Sequence, residues 1–162
     1  MSRALLTEKQ RAEKNARLFE TVIAKLRDCQ VIGTYVSMKD EADTKAIIRW
    51  CFENGKTVAV PKVNGSTLVF HIIESFDDLK AGAFGVEEPF KERPVSCKEI
   101  EFMIVPLSAY DEKNSRTGYG RGYYDSVLKQ CAHTAGLAYI EQKSDLIETD
   151  PWDVPLDEII AQ

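Results

Sequence analysis

The strongest constraint on the fold is a short apolar run, a helical stretch and a second apolar run, in that order. Val31-Ile32-Gly33-Thr34-Tyr35-Val36 is nearly continuous in apolar and β-branched residues, as in a strand covered on both faces. A polar turn from Ser37 to Glu41 follows. Ala46, Ile47, Trp50 and Cys51 then recur with helical period, and Asn54-Gly55 ends that helix. Glycine supplies the left-handed residue just past a helix C-terminus. Thr57-Val58-Ala59-Val60 predicts the next strand, stopped by Pro61. Two strands joined through a helix lie parallel, with a right-handed crossover. This unit alone commits the chain to the α/β class.

The flanking segments fit around that unit. Thr7 followed by Gln10 matches a capping box. Leu18, Val22 and Leu26 recur at helical spacing beside Phe19 and Ile23, and Glu13, Lys14, Arg17, Glu20 and Lys25 form the other face. This predicts an amphipathic helix lying on a sheet. Thr67 to Ile73 predicts a strand entered through a turn at Asn64-Gly65. The stretch from Ser75 to Lys98 contains Gly82, Gly85, Pro89 and Pro94 and is expected to be mainly loop. Phe102 to Val105 reads as a buried strand. A polar loop from Asp111 to Arg121 leads to a helix near Gly122 to Cys131. A strand over Thr134 to Ile140 follows, and a last short apolar run lies at Ile159-Ile160. The expected architecture is a single-domain, three-layer α/β fold over residues 1–162. Its mostly parallel central sheet is flanked by helices.

Composition removes several classes of function. At 162 residues the chain can bury a substantial core. No apolar run is long enough to cross a bilayer, and the start shows no signal-peptide pattern, so a cytoplasmic location is expected. Lys plus Arg total 21 against 26 Asp plus Glu, a net charge of -5. That balance argues against nucleic-acid binding but leaves room for a small anion bound by a local cluster. Cys29, Cys51, Cys97 and Cys131 form no Cys-x-x-Cys pair and are expected as reduced thiols. His71 and His133 are isolated, which disfavours structural zinc.

The segment that carries chemistry is Arg116-Thr117-Gly118-Tyr119-Gly120-Arg121-Gly122-Tyr123-Tyr124-Asp125. Its glycines alternate at 118, 120 and 122, with arginines at 116 and 121, between an expected strand and an expected helix. Glycines let backbone N–H groups approach phosphate, and a helix start favours an anion. The arginines add charge-assisted hydrogen bonds, and the tyrosines offer flat faces to a ring. A flexible glycine-rich connection with packing tyrosines is the other reading of the same residues. The stretch lacks the Gly-Lys-Ser/Thr ending of a Walker A loop, and its glycine period of two is wrong for the dinucleotide fingerprint.

This stretch resembles the Arg-Leu-Gly-x-Gly-x-Gly-Tyr-Tyr-Asp signature of the 5-formyltetrahydrofolate cyclo-ligase (5,10-methenyltetrahydrofolate synthetase) family. The similarity runs along nearly the whole chain, in order. Tyr35, Ser37, Glu41 and Asp43-Thr44 resemble the family's first substrate segment, and Val60-Pro61-Lys62-Val63 a second strand end. Phe84-Gly85-Val86-Glu87-Glu88-Pro89 resembles its Gly-Ile-x-Glu-Pro element. Ile104-Val105-Pro106 leading to Tyr110-Asp111 resembles its Val-Pro-Gly and Phe-Asp stretch, and Gln142 and Asp153 to Asp157 resemble its tail.

The resemblance implies ATP- and Mg2+-dependent cyclisation of 5-formyltetrahydrofolate to 5,10-methenyltetrahydrofolate, with release of ADP and phosphate. A phosphorylated formyl (iminium phosphate) intermediate is implied. Positioning and charge stabilisation would then dominate catalysis. Arg116, Thr117, Gly118, Tyr119, Gly120, Arg121, Gly122, Tyr123 and Tyr124 match the ATP-binding segment. Arg116, Arg121 and Tyr123 are the implied catalytic residues. Val36, Glu41 and the Tyr119–Tyr123 stretch match substrate contacts, and Asp125 and Asp153 match Mg2+ ligands. Hard carboxylate oxygens suit that ion. On position alone, Asp125 also reads as a first-turn helix carboxylate, Asp153 as a turn residue, Glu41 as an exposed turn or helix-start acid and Val36 as a strand-end core residue. Trp50 and Trp152 read as packing residues. The expected partners are 5-formyltetrahydrofolate and ATP, acting on a monomer, with no nucleic acid or membrane. A folate- or nucleotide-binding module without turnover is the alternative.

The chain departs from the family pattern at several positions. Leu107 stands where Gly usually follows Pro106, Thr117 replaces Leu, Ser126 replaces a basic residue, and Trp152 stands where His often precedes Asp153. Family members usually begin with a basic Lys-x-x-Leu-Arg segment that reaches the ATP phosphates. Here Arg3 is the only basic residue before Leu6-Thr7; either that segment is absent from this sequence or another group replaces it, which bears on ATP affinity more than on the fold.

Overall fold

The computed structural model describes residues 6–82, 85–117, 122–149 and 153–162. Helix α1 spans Glu8–Leu26. Thr7 caps it by accepting from the Gln10 amide while the Gln10 side chain takes the Thr7 N–H, the reciprocal bonds of a capping box. Strand β1 (Val31–Thr34), helix α2 (Lys45–Glu53) and strand β2 (Thr57–Asn64) form the expected unit. β1 and β2 pair in parallel, Val31 opposite Thr57 and Gly33 opposite Ala59. Gly55 takes a φ of 69° just past α2, as anticipated from the Asn-Gly pair.

Pro61 does not stop β2, which runs on to Asn64 and pairs antiparallel with β3 (Thr67–Ile73) through a turn containing Gly65. The last β2 residue opposite β1 is Ala59, so Pro61 lies beyond that ladder. There its missing N–H deprives no neighbour. The Ser75–Lys98 stretch is more ordered than expected. It contains a short 3-10 turn at Phe76–Asp78, the antiparallel pair β4 (Leu79–Ala81) and β5 (Glu87–Pro89), and β6 (Pro94–Val95), which pairs with β3 at the sheet edge. Strands of two or three residues are too short to show an alternating pattern.

Beyond it lie β7 (Phe102–Val105), the hairpin strands β8 (Ala109–Tyr110) and β9 (Arg116–Thr117), helix α3 (Asp125–Leu128), β10 (Thr134–Ala138) and β11 (Glu158–Ala161). α3 is shorter than the expected Gly122–Cys131 helix, because the chain must turn to enter β10 at Thr134. Among the described residues, the main sheet has seven strands in the order β11-β10-β7-β1-β2-β3-β6. The pairs from β11 to β2 are parallel, and β3 and β6 add an antiparallel margin.

Side chains alternate across the sheet, and two cores result. Ile32, Val58, Val60, Phe102, Ile104, Ala135 and Leu137 meet Leu18, Val22 and Leu26 of α1 and Ile47, Ile48 and Cys51 of α2. Ala59, Met103, Val105 and Ala138 face the other way, onto Ile100, Leu107, Tyr124, Val127, Leu128 and Leu156. These are the three expected layers. Leu107 is accommodated by Gly136. A Cβ on Gly136 would stand 2.7 Å from Leu107 Cδ2 and 2.8 Å from Leu156 Cδ1. The larger side chain at 107 therefore fills the space over a glycine on β10.

The chain builds outward from β1 to β2 on one side, then to β7, β10 and β11 on the other. The order therefore reverses between β1 and β7. In open α/β sheets the crevice outside the carboxyl ends of the strands, at such a reversal, is where ligands bind.

Candidate active site

The segment leaving β1 folds back on itself. Ser37 N–H donates to Thr44 Oγ1 at 3.0 Å, and Thr44 N–H donates to Ser37 Oγ at 3.0 Å. The Thr44 hydroxyl also donates to the Tyr35 carbonyl at 2.7 Å, and Tyr35 OH to the Ala42 carbonyl at 2.7 Å. Burial, then the nearby charge of Glu41, pushes the Tyr35 phenol well above its usual pKa, so it stays a neutral donor. These bonds hold Glu41 in place, and its Oε1 accepts from Met38 N–H at 2.7 Å. Glu41 is 6 % exposed, so it is not the exposed turn acid its position alone would suggest.

Val36, Met38 and Glu41 line a cavity of about 520 Å³ with Asn15 from α1 and Lys45 from α2. Glu87, on the same wall, pairs with Lys45 at 2.8 Å. The volume suits a drug-sized ligand. Val36 and Glu41, expected in contact with one substrate, therefore share one cavity.

The segment leaving the neighbouring strand β7 builds a different environment. Asp111 is buried and its carboxylate accepts N–H bonds from Lys113, Ser115 and Ile147. The tight turn this makes, with Asn114 at a φ of 61°, returns the chain to Arg116. The Arg116 guanidinium donates from Nη1 to the Pro106 carbonyl at 3.3 Å and lies 5.2 Å from the centre of the Tyr124 ring. Its Nε is buried and has no hydrogen-bond partner among the described residues. Burial draws its pKa down, while the charges of Asp125, Tyr124 and Asp153 act the other way.

Asp125 opens α3, and its Oδ1 accepts from Val154 N–H at 3.2 Å. That bond draws the segment containing Asp153 alongside α3, so the two expected metal ligands are close in space though distant in sequence. Tyr124 is buried in the second core and Tyr123 is half-buried against it. Gly122 is exposed at a φ of 66°, a conformation that favours glycine. Thr117 ends β9 and is exposed. Gly118, Tyr119, Gly120, Arg121 and Trp152 lie outside the described residues.

Two carboxylates beside a half-buried arginine, whose buried Nε–H has no partner among the described residues, form a donor set that suits Mg2+ with a phosphate. The ion takes one or two protein carboxylates and fills its remaining positions with water and phosphate oxygens. Among the described residues, no group of three or more His, Cys, Asp or Glu could hold a metal by itself. His71 is buried and its Nδ1 accepts from Arg93 N–H, while His133 pairs with Glu158. The four cysteines are free thiols.

Sequence reasoning missed three participants. Asn15 lies on the buried side of α1, in register with Leu18, Val22 and Leu26. An amide within an apolar stripe was the available signal. Tyr139, just past β10, donates to Asn15 Oδ1 at 2.9 Å. The Pro106 carbonyl left no sequence signal, since every residue has one.

The model of the family described as 5-formyltetrahydrofolate cyclo-ligase matches residues 1–162. A 5-formyltetrahydrofolate cyclo-ligase of Haemophilus influenzae is 30% identical over 170 residues, covering 98% of this chain and 91% of the relative. The mouse protein of that name is 26% identical over 175 residues, covering 97% and 86%. A solved 5,10-methenyltetrahydrofolate synthetase from Mycoplasma pneumoniae superposes with a TM-score of 0.78 at 25% identity, covering 98% of this chain and 90% of that one. The Aquifex aeolicus synthetase gives 0.79 at 31% identity, covering 98% and 83%. Among the described residues no helix is long and apolar enough to cross a membrane. The match spans both the segment after β1 and the segment around Arg116, and the chain belongs to the 5-formyltetrahydrofolate cyclo-ligase family.

Proposed function

We propose that this chain, acting as one catalytic domain, converts 5-formyltetrahydrofolate and ATP into 5,10-methenyltetrahydrofolate, ADP and phosphate. The observation that carries the reading is the placement of two unlike half-sites on adjacent strands. The Glu41 cavity follows β1 and the Arg116–Asp125–Asp153 group follows β7, and β1 and β7 are hydrogen-bonded neighbours. The two strands are parallel, so both half-sites follow the same carboxyl edge of the sheet.

The chemistry follows from the substrate. A formamide oxygen is a poor leaving group. Attack of that oxygen on the γ-phosphorus, with cleavage of the bond to ADP, makes it a good one. N10 then attacks the activated carbon, loses its proton, and phosphate departs with the former formyl oxygen. In this scheme the cavity orients the folate. Glu41 presents carboxylate to N–H groups of the pterin ring, and Val36 walls one side. Arg116 binds phosphate oxygen, satisfying its buried Nε. Arg121 and the Gly118–Tyr123 backbone complete the ATP site. Asp125 and Asp153 would hold Mg2+, which would offset phosphate charge as it develops.

Mixing the protein with 5-formyltetrahydrofolate, ATP and Mg2+ is expected to raise methenyl absorbance in the near ultraviolet. Omitting ATP or Mg2+ should abolish the rise. Folded protein that binds folate without producing the absorbance would instead establish a binding module.

A further inference from the structure

Asn15 occupies an unusual position for its type. It sits within α1, in the stripe that continues through Leu18, Val22 and Leu26 into the first core. Asparagine is a poor helix former, because its amide competes for backbone bonds. Here the amide makes no bond to its own helix. Its oxygen instead takes the Asp43 N–H at 3.1 Å and the Tyr139 hydroxyl at 2.9 Å. One atom of α1 thereby joins the segment after β1 to the segment after β10.

The orientation of this amide is set by chemistry. A backbone N–H can only donate, so the Asp43 amide must face oxygen rather than nitrogen. Burial raises the Tyr139 pKa, so its hydroxyl keeps its proton and also donates. An amide oxygen has two lone pairs, and both are used. The nitrogen is left with two N–H bonds that reach no acceptor among the described residues, in a half-buried side chain that lines the 520 Å³ cavity. Polar hydrogens in such a position need a partner when water is displaced.

We infer that the Asn15 side-chain nitrogen donates a hydrogen bond to a carbonyl-type oxygen of the bound folate, while its oxygen holds the cavity wall together. The inference rests on the proposed function in taking folate as the occupant. It assigns one substrate contact to the first helix.

The isosteric variant Asn15→Asp separates the two roles. A carboxylate can still accept from Asp43 and Tyr139, but it has no N–H to give. Calorimetric titration with 5-formyltetrahydrofolate should show affinity weakened about tenfold, as for a lost hydrogen bond. The ATP KM and the unfolding temperature should stay at their wild-type values. Repulsion between the new carboxylate and the substrate's glutamate is tested with the primary amide of 5-formyltetrahydropteroic acid, which keeps the benzoyl carbonyl and carries no carboxylate. A weakening that persists supports the lost donor, and one that vanishes overturns it. A second readout needs no variant. The Asn15 side-chain NH2 signals of the wild-type protein should shift on folate addition, and unmoved signals overturn the inference. Wild-type protein that binds no folate would sink the proposed function. Wild-type binding matched by Asn15→Asp would sink this inference alone.

Discussion

Arg116 is a partly buried cation whose Nη1 reaches one carbonyl and whose Nε reaches none among the described residues. Leaving a buried donor unsatisfied costs about 1–3 kcal/mol, a cost that a bound phosphate would remove. Replacing Arg116 with Ala should therefore lower kcat/KM for ATP by about 100-fold or more, with folate affinity retained. Steady-state kinetics and folate titration check both halves. Asp125→Asn should raise the Mg2+ concentration needed for half-maximal turnover, measured by Mg2+ titration at saturating ATP. At this scale the sequence was readable where the chemistry needs a particular side chain. Arg116 stood out by type within its glycine-rich stretch, and Asp125 and Glu41 were picked out by the resemblance to the family's motifs. Asn15 offered only an amide within an apolar stripe, a signal that does not tell a core-facing amide from a cavity-facing one.

At the scale of elements, the segment from Tyr35 to Thr44 behaves as one latched unit. Thr44 is fully buried, and its hydroxyl accepts from Ser37 while donating to Tyr35. Thr44→Val keeps the shape and removes both bonds, leaving the Ser37 N–H and the Tyr35 carbonyl without these partners. A loss of about 1–3 kcal/mol of stability and a raised KM for folate are expected, read by chemical denaturation and kinetics. The strand-helix-strand unit and the α1 cap were legible because each carries a periodic or capping pattern. The β8–β9 hairpin was not. It is built by a single carboxylate, Asp111, collecting three backbone N–H groups from Lys113, Ser115 and Ile147. An aspartate in a polar loop looks the same whether it does this or faces water. α3 was overestimated for a related reason, since the demands of entering β10 are not written in its own residues.

At the scale of the molecule, the sheet order places the site. The reversal between β1 and β7 brings together segments some seventy residues apart, which no local pattern reveals. The same sheet explains how Leu107 is tolerated, since β10 carries Gly136 beneath it. Gly136→Ala should destabilise by about 1–3 kcal/mol through overpacking, and pairing it with Leu107→Ala should restore part of the loss. Thermal unfolding of the single and double variants tests this.

Acid should also loosen the whole fold. Ile147 N–H, then the Ser115 and Lys113 N–H groups, hold the Asp111 carboxyl below its usual pKa. A depressed carboxylate stabilises the fold above its unfolded pKa of about 4, and that contribution fades as pH falls through the lower folded value. Asp111→Asn should therefore be less stable near neutrality and show a shallower acid limb in its stability profile.

Two half-sites on neighbouring strands that serve one reaction must consume their substrates together. Counting ADP released against methenyltetrahydrofolate formed, with and without folate, tests it most directly. One ADP for each methenyl product, and negligible ATP cleavage when folate is absent, are expected. Methenyl formation without ADP, or ATP cleavage indifferent to folate, would contradict it.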